Sequence, residues 1–259
     1  MANANAAAAR RRAAPGRAGA ARRLGFALLI ILAAGGIGYA AVAAAADPHF
    51  ALTDVGVRGA HRATANDILA AAALPAGRNI WLLNTTASRR RVEAMPWIAS
   101  ATIERGWPNQ VAIVVTERTP AARLELAAQQ YVLVDADGRV LGDADDNADR
   151  ALPALAVRPL PPDAGTPGAL LAETTVGDAL TAARALAALG VHVTEIQTEP
   201  VMGISAFTDA NVRVVFGDLD DLARKVALYD AIRKRITQPD AVEYVDVRSA
   251  AAPTVQYRR

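Results

Sequence analysis

The sequence predicts an α+β protein that begins with one membrane-spanning helix and continues into two modules. Three observations support this prediction. Residues 24 to 46 carry no charged side chain, residues 48 to 118 are ordered as strand, helix, helix, strand, strand, and residues 119 to 259 form a strand-rich module. Hydrophobic residues make up 53% of the 259 positions, enough for folded cores.

Charge is distributed unevenly around the uncharged stretch. Residues 1 to 23 contain six arginines and no acidic residue, whereas all 26 acidic residues lie from Asp47 onward. As a helix, residues 24 to 46 would extend about 35 Å, enough to cross a hydrocarbon core of about 30 Å. Basic residues beside a span stay in the cytoplasm, so we predict a single-pass protein with a cytoplasmic leader at residues 1 to 23 and the bulk outside.

A cleaved signal peptide is the alternative for this segment. The sequence "AVAAAAD" offers A-x-A cleavage sites, and the second half of the span is rich in Ala and Gly. Retention is favoured because the basic leader is long for the n-region of a signal peptide, and the apolar stretch exceeds the usual h-region of about 7 to 15 residues.

Composition also argues against several classes of function. There is no cysteine, so disulfides, thiolate zinc sites and a cysteine nucleophile are excluded. The exported part has more acidic than basic residues, which disfavours a nucleic-acid partner.

The first module, residues 48 to 118, opens with a strand that starts near Phe50 and leads into a turn at Gly59. A helix follows, capped by Thr64 with Asp67 three residues later. A second helix starts at Thr85 or Thr86 and ends by Met95, because Pro96 disfavours helical geometry in the residue before it.

Two strands joined by the turn "GWPN" complete this module, and both helices are expected on one face of the three-stranded sheet. The predicted inward faces are Trp97, Ala99, Ala101 and Ile103 on the first of these strands, and Val111, Ile113 and Val115 on the second. Trp97 and Trp107 are interpreted as an aromatic core residue and a hairpin corner.

The second module, residues 119 to 259, contains strands at "ARLEL", "YVLVD" and "GRVLG", with Asp137 and Gly138 in a tight turn. A helix starts at Thr175 and ends before Gly190. Three strands precede a second helix, and two more strands, "AVEYVDVR" and "TVQYR", follow it. The predicted inward face of that helix is Leu222, Val226, Tyr229, Ile232 and Ile236, with a basic face opposite.

The residues give little support for a metal site or a catalytic site. The aspartates at 135, 137, 143, 145, 146 and 149 lack EF-hand spacing, so a solvated loop is favoured over a calcium site. His49, His61 and His192 have no metal-ligand spacing, and "GISAF" lacks the second glycine of a nucleophile elbow. The run Arg89 to Arg91 is either a solvated helix face or a site for an acidic segment. We predict no catalytic residue, cofactor, metal or small-molecule substrate.

The motifs "VRGAHRATANDILAAAAL", "GRNIWLLN", "MPWIASATIERGWPNQVAIVVTERTPAA", "YVLVDADGRVLG" and "VEYVDVR" occur in an order that resembles the FtsQ/DivIB family. The resemblance is weakest between residues 143 and 200. It implies a POTRA domain at residues 48 to 118 and an FtsQ-type domain at residues 119 to 259. It also implies an inner-membrane protein of the division septum, with its bulk in the periplasm, that binds FtsB and FtsL as a non-enzymatic scaffold and helps control septal peptidoglycan synthesis. A POTRA-containing adaptor of envelope assembly or secretion is the alternative.

The resemblance places the FtsB contact near the end of the sequence, and the match in "YVDVR" carries it to Arg248. Ser249 stands where the family often has an aromatic residue, so this contact is expected to be weaker or replaced. We expect the last strand to be a sheet edge that a partner extends, with Val255 on the edge and Tyr257 as an aromatic anchor. The alternative is that these residues only complete the module's own sheet.

The absence of cysteine makes the predicted topology testable. Ala6→Cys and Ser249→Cys would each introduce a single thiol on opposite sides of the predicted span. In intact spheroplasts treated with a membrane-impermeant maleimide, we expect only the Ser249→Cys protein to be labelled. Labelling of the Ala6→Cys protein, or release of a soluble body without the leader, would contradict retention by the span.

Overall fold

The computed structural model describes residues 17–145 and 147–258. Its helices are α1 (Arg17–Ala46), α2 (Ala65–Ala72), α3 (Thr85–Glu93), α4 (Thr175–Ala187) and α5 (Leu222–Arg233). Its strands are β1 (Asp54–Arg58), β2 (Ile98–Gly106), β3 (Gln110–Glu117), β4 (Pro120–Ala127), β5 (Gln130–Asp135), β6 (Val140–Asp143), β7 (Ala154–Val157), β8 (Val193–Glu199), β9 (Gly203–Thr208), β10 (Arg213–Gly217), β11 (Val242–Asp246) and β12 (Thr254–Tyr257). The predicted α+β fold, with an apolar N-terminal helix before it, is confirmed.

The chain divides into two compact units. Within the described residues, the first unit runs to Asp54 and also contains Pro75–Leu83 and Arg105–Val111. The second unit contains Val55–Leu74, Asn84–Glu104 and the chain from Ala112 onward.

The first unit contains α1, whose segment Arg22–Ala46 has a mean hydropathy of 2.2 and is not buried against the protein. Its length and composition are those of a membrane-spanning helix. The carbonyl groups at the end of α1 need partners from outside the helix. The buried side chain of Asn79 supplies two donors: its Nδ2 lies 2.9 Å from the Ala44 oxygen and 3.2 Å from the Ala45 oxygen.

The segment after α1 differs from the prediction. A strand was expected from Phe50, but Pro48–Phe50 form a 3-10 turn capped by Asp47, and β1 begins only at Asp54. The reason lies in the spacing of the apolar residues. Leu52 and Val55 are an odd number of positions apart, so they cannot lie on one face of a single regular strand.

In the second unit, α2 and α3 pack on the three-stranded sheet ordered β1, β3, β2. Ile68, Val92, Ile98 and Ile113 are completely buried in this core. The predicted cap of α2 is confirmed, since Thr64 Oγ1 accepts a hydrogen bond from the Asp67 N–H at 3.2 Å.

Two details of this region were predicted wrongly. The buried positions of β2 are Ile98 and Ala101, whereas Ala99 is exposed, because the alternation is broken within the strand. Trp97 is half-buried beside Arg62 and is not part of the core cluster. The inward face of β3 is confirmed, since Val111, Ile113 and Val115 are all buried.

The rest of the second unit is a nine-stranded sheet ordered β12, β11, β10, β9, β8, β7, β4, β5, β6. Helix α4 packs against β7, β8 and β9, and α5 packs against β10. The pairs β4–β7, β7–β8 and β10–β11 are parallel, and the other pairs are antiparallel.

Strand β7 was missed by the sequence analysis, although it lies between β4 and β8 and buries Leu155 and Val157 completely. The cap of α4 is Thr174, one residue before the predicted position, and α5 ends before Ile236. The face of α5 opposite the basic side is not purely apolar, because Lys225 is buried there beside Val226 and Tyr229.

An ion pair links the α2 region to the nine-stranded sheet within the second unit. Arg62 Nη2 lies 2.7 Å from Oδ1 of Asp149, a carboxylate that is 3% exposed, and its guanidinium lies 5.4 Å from the centre of the Trp97 ring. The hydrogen bond from Arg62 lowers the pKa of Asp149 below its ordinary value, against the opposing effect of burial. The backbone beside Arg62 is held by Glu117, which accepts hydrogen bonds from the N–H groups of His61, Arg62 and Ala63.

Other aspartates of the same region also have structural partners. Asp135 is buried, receives the Arg118 guanidinium at 2.8 Å, and accepts the N–H groups of Asp137 and Arg139. The predicted turn at Gly138 is confirmed, and a side chain there would meet the Ala172 backbone at 2.9 Å. Asp146 lies outside the described residues.

Asp149→Ala is expected to lower the free energy of unfolding at pH 7 by about 1 to 3 kcal/mol, because Arg62 and the Asp145 N–H both lose a charged acceptor. The folded pKa of Asp149 lies below its unfolded value of about 3.9, so its contribution is complete above that value and is lost as the pH falls through the folded pKa. Urea unfolding of the variant and of the unchanged protein should therefore show a difference in the free energy of unfolding that is smaller in acid than at pH 7.

Asp143→Ala is the matched control, because Asp143 is an exposed carboxylate on the same segment. It should change stability by no more than about 0.5 kcal/mol. An equal effect of the two substitutions, or an Asp149 effect that persists unchanged in acid, would contradict the role assigned to the ion pair.

Candidate functional site

The predicted partner-binding residues lie at one edge of the nine-stranded sheet. Strand β11 pairs in parallel with β10 on one side and antiparallel with β12 on the other. Val242 and Val245 anchor β11, since both are completely buried in the core. Among the described residues, β12 has only β11 as a neighbouring strand.

The backbone donors of β12 alternate in direction. The Arg258 N–H donates to the Ala241 carbonyl at 2.8 Å, so it faces β11. Donors alternate along a strand, and the N–H groups of Val255 and Tyr257 therefore face away from the sheet. The pairing of β11 agrees: the Val247 N–H donates to Val215 of β10, so Val245, opposite Val255, also directs its N–H toward β10.

The side chains of β12 differ in burial. Val255 is half-buried and packs against the main core, whereas Tyr257, two residues later on the same face, is 53% exposed. The outward carbonyl of Tyr257 accepts a hydrogen bond from the Gln256 side-chain amide at 3.0 Å. The edge thus combines an anchored valine with an exposed aromatic ring.

Arg248 is held by its own neighbour Asp246. Nη2 lies 2.7 Å and Nε 3.0 Å from Asp246 Oδ2, and the Arg248 N–H donates to Oδ1 at 3.0 Å. These hydrogen bonds lower the pKa of Asp246 and raise the pKa of Arg248. Nη1 of Arg248 has no acceptor within residues 17–145 and 147–258, so this nitrogen is available to an external carboxylate.

The structure separates the four predicted residues into two pairs. Val255 and Tyr257 lie on β12, whereas Arg248 and the exposed Ser249 lie in the turn that follows β11. Asp246 pairs with Thr254 at the turn end, and Val242 pairs with Tyr257 at the opposite end. A partner that touches both Arg248 and Tyr257 must therefore extend along the whole of β12.

A shallow depression beside Arg248 was missed by the sequence analysis. It is lined by Pro200, Val201, Met202, Gly217, Asp218, Lys225 and Arg248, and Val201 is 91% exposed. Buried Lys225 donates to the Asp218 carbonyl oxygen at 3.0 Å and to its carboxylate at 2.5 Å. The available signal was the position of Lys225, three residues after Leu222 and four before Tyr229, within the apolar stripe of α5.

The arginine run of α3 and the possible metal ligands were the other candidates from the sequence. All three arginines of the run Arg89 to Arg91 are exposed, as expected for a solvated helix face. Arg91 also donates to the Ala71 and Ala72 carbonyls near the end of α2, and Arg89 Nη1 lies 3.5 Å from Glu93 Oε1. Across residues 17–145 and 147–258, no group of three or more His, Asp or Glu residues has an arrangement that could hold a metal ion.

Two family comparisons cover most of the chain. Residues 50–118 match the POTRA domain of FtsQ type, and residues 122–248 match the C-terminal domain of the cell division protein FtsQ/DivIB. The chain belongs to the FtsQ/DivIB family. Arg248 is the last matched residue, so the other three predicted site residues of this FtsQ/DivIB chain lie beyond the matched range.

Individual relatives agree with this family. A cell division protein FtsQ of Myxococcus fulvus is 37% identical over 86 residues, covering 33% of this chain and 30% of the relative. The proteins of the same name from Mycobacteroides abscessus and Bradyrhizobium diazoefficiens are 29% identical over 201 residues and 30% identical over 137 residues. The Mycobacteroides abscessus match covers 77% of this chain and 59% of the relative. The Bradyrhizobium diazoefficiens match covers 46% of this chain and 40% of the relative. The chain thus matches less than two thirds of each relative's length.

Proline substitutions test the assigned directions of the β12 donors. Val255→Pro removes an outward N–H and is expected to be tolerated, as proline is on edge strands. Gln256→Pro removes an N–H that faces β11 and should lower the free energy of unfolding by about 1 to 3 kcal/mol more than Val255→Pro. Chemical denaturation measures both. Greater destabilisation by Val255→Pro would show that the donor directions are reversed.

Proposed function

We propose that this chain is a non-enzymatic scaffold at the division septum that binds FtsB and FtsL and so helps control septal peptidoglycan synthesis. Membership of the FtsQ/DivIB family supports a role in cell division and disfavours the general envelope-assembly adaptor. The observation that carries the binding proposal is the edge of β12, where the N–H groups of Val255 and Tyr257 face away from the sheet beside an exposed aromatic ring.

The proposed contact is a strand of FtsB that pairs with β12. Such pairing uses the outward backbone groups of the edge strand, whatever the side chains of the partner. Each backbone hydrogen bond contributes only about 0.5 to 1.5 kcal/mol, and β12 has just four residues. Backbone pairing over so short a strand is insufficient by itself, so side chains must supply much of the affinity and the specificity.

Tyr257 and Arg248 are the side chains proposed for that role. Exposed Tyr and Arg residues are the types most often found to dominate interface energetics. Tyr257 offers its ring at one end of β12, and Arg248 offers Nη1 at the other, with its orientation fixed by Asp246. A partner carboxylate beside Arg248 would also lie close to Asp246, so a hydrogen bond to Nη1 alone is the favourable geometry.

The proposed location is the inner membrane, with a cytoplasmic N-terminus and the residues after Ala46 in the periplasm. Support comes from the apolar helix at Arg22–Ala46 and from the arginine-rich leader before it. The proposed domain boundaries are those of the sequence analysis, at residues 48 to 118 and 119 to 259. Their POTRA and FtsQ-type characters agree with the matched residues.

Capture of FtsB by the full-length chain in detergent tests the proposal. Val255→Pro removes an outward donor, and Arg248→Glu reverses a charge, so both should reduce FtsB capture by proteins that circular dichroism shows to be folded. Because a glutamate at 248 would also repel Asp246, Arg248→Gln is a second variant that removes the charge without adding repulsion.

Arg224→Glu is the matched control, since Arg224 is an exposed arginine on α5 outside the proposed contact. It should retain normal capture. Full capture by the Val255 and Arg248 variants, or loss only in proteins that are unfolded by circular dichroism, would reject pairing at β12.

A further inference from the structure

Large apolar side chains are exposed next to the end of α1. Outside α1, six are exposed in the described residues, and three of these belong to the first unit: Trp81 at 58%, Leu82 at 50% and Trp107 at 72%. The neighbours Ile80 and Leu83 are buried, so the chain turns its apolar residues both inward and outward here. Clustered exposure of this kind marks an interaction surface.

Asn79 connects this cluster directly to α1. Its side-chain amide donates to the Ala44 and Ala45 carbonyls, and its Oδ1 accepts the Trp81 N–H at 2.9 Å. One buried side chain therefore holds both the last turn of α1 and the 3-10 turn Ile80–Leu82 that carries two of the exposed residues. Trp81 and Leu82 lie at the level of the helix end.

Trp107 is held near the same end by a different contact. Its ring packs edge-on against His49, with 5.5 Å between the ring centres. His49 is only three residues beyond Ala46, and its N–H is fixed by the Asp47 carboxylate at 2.9 Å. The hairpin corner thus lies beside the chain as it leaves α1.

Arg105 contacts both sides of the turn that carries Trp81 and Leu82. Its Nε donates to the Ile80 carbonyl at 2.7 Å, its Nη2 donates to the Leu83 carbonyl at 3.2 Å, and its guanidinium lies 6.0 Å from the centre of the Trp81 ring. Both sides of the turn are therefore fixed, and Trp81 and Leu82 are presented outward from a rigid support. The rigid support lowers the entropic cost of placing these side chains in a contact.

We propose that Trp81, Leu82 and Trp107, here called the interfacial cluster, insert into the surface of the bilayer that α1 spans. This inference rests on the proposed anchoring by α1. Residues 24 to 46 would extend about 35 Å against a hydrocarbon thickness of about 30 Å, which places the end of α1, and Asn79 that is bonded to Ala44 and Ala45, in the interfacial layer. Tryptophan is enriched in that layer, because its ring is apolar and its N–H is polar.

The composition of α1 explains why such a contact would stabilise the membrane-bound protein. The last seven residues of the span are "AAVAAAA", which bury little apolar surface, and Tyr39 is the single aromatic residue in its second half. The interfacial cluster supplies the aromatic anchor that this end of the span lacks.

Tryptophan fluorescence in vesicles tests the proposal, because the chain has three tryptophans and one of them is an internal control. Three full-length proteins, each retaining only Trp81, Trp97 or Trp107 with the others changed to Phe, are reconstituted into phosphatidylcholine and phosphatidylglycerol vesicles with or without brominated acyl chains. The Trp81 and Trp107 proteins should lose most of their emission in brominated vesicles. The Trp97 protein should keep its emission, because Trp97 is half-buried and packed beside Arg62.

Flotation of the same vesicles separates this inference from the anchoring on which it depends. Protein that fails to float would reject anchoring by α1. Protein that floats with no quenching of Trp81 and Trp107, or with equal quenching of all three tryptophans, would reject the interfacial cluster and leave anchoring intact. Changes in Trp81 and Trp107 emission only on addition of a protein partner would assign the surface to that partner and also reject the proposal.

Discussion

An edge strand leaves half of its backbone hydrogen-bonding groups without a partner in its own sheet, and this constraint governs the candidate site. In β12, the inward groups bind β11, while the N–H groups of Val255 and Tyr257 face outward. Because Val255 packs into the core and Arg258 donates to both Ala241 and Asn211, the strand is held in place before any partner arrives. The edge is therefore an ordered template, and pairing with it does not require β12 to fold on binding.

Each of the two units also contains a rigid support of this kind. In the first unit, Asn79 joins the last turn of α1 to the turn that presents Trp81. In the second unit, the Arg62–Asp149 pair lies beside Trp97 and links the α2 region to the nine-stranded sheet. In both places, one buried polar side chain satisfies donors or acceptors from two separate segments, so its removal would leave unpaired groups on both.

Local patterns in the sequence were sufficient for many elements. The Thr64 cap, the alternation of Val111, Ile113 and Val115, and the turn at Gly138 each depend on residues close in sequence. Strand β7 was missed because it has four residues and prolines lie close to both ends. The burial of Lys225 was not predicted, because the sequence shows its position within the apolar stripe of α5 but not its pairing with Asp218. The hydrogen bonds between Arg248 and the Asp246 carboxylate were not predicted for a different reason. The sequence shows that the two residues are close but not that their side chains meet.

Amide hydrogen exchange on β12 tests the central claim most directly. In the free protein, the N–H groups of Val255 and Tyr257 should exchange rapidly, and that of Gln256, which faces β11, should be protected. On saturation with FtsB, Val255 and Tyr257 should become protected, while Gln256 changes little, because only outward donors gain new acceptors. Rapid exchange of Val255 and Tyr257 in the saturated complex would contradict strand pairing at this edge.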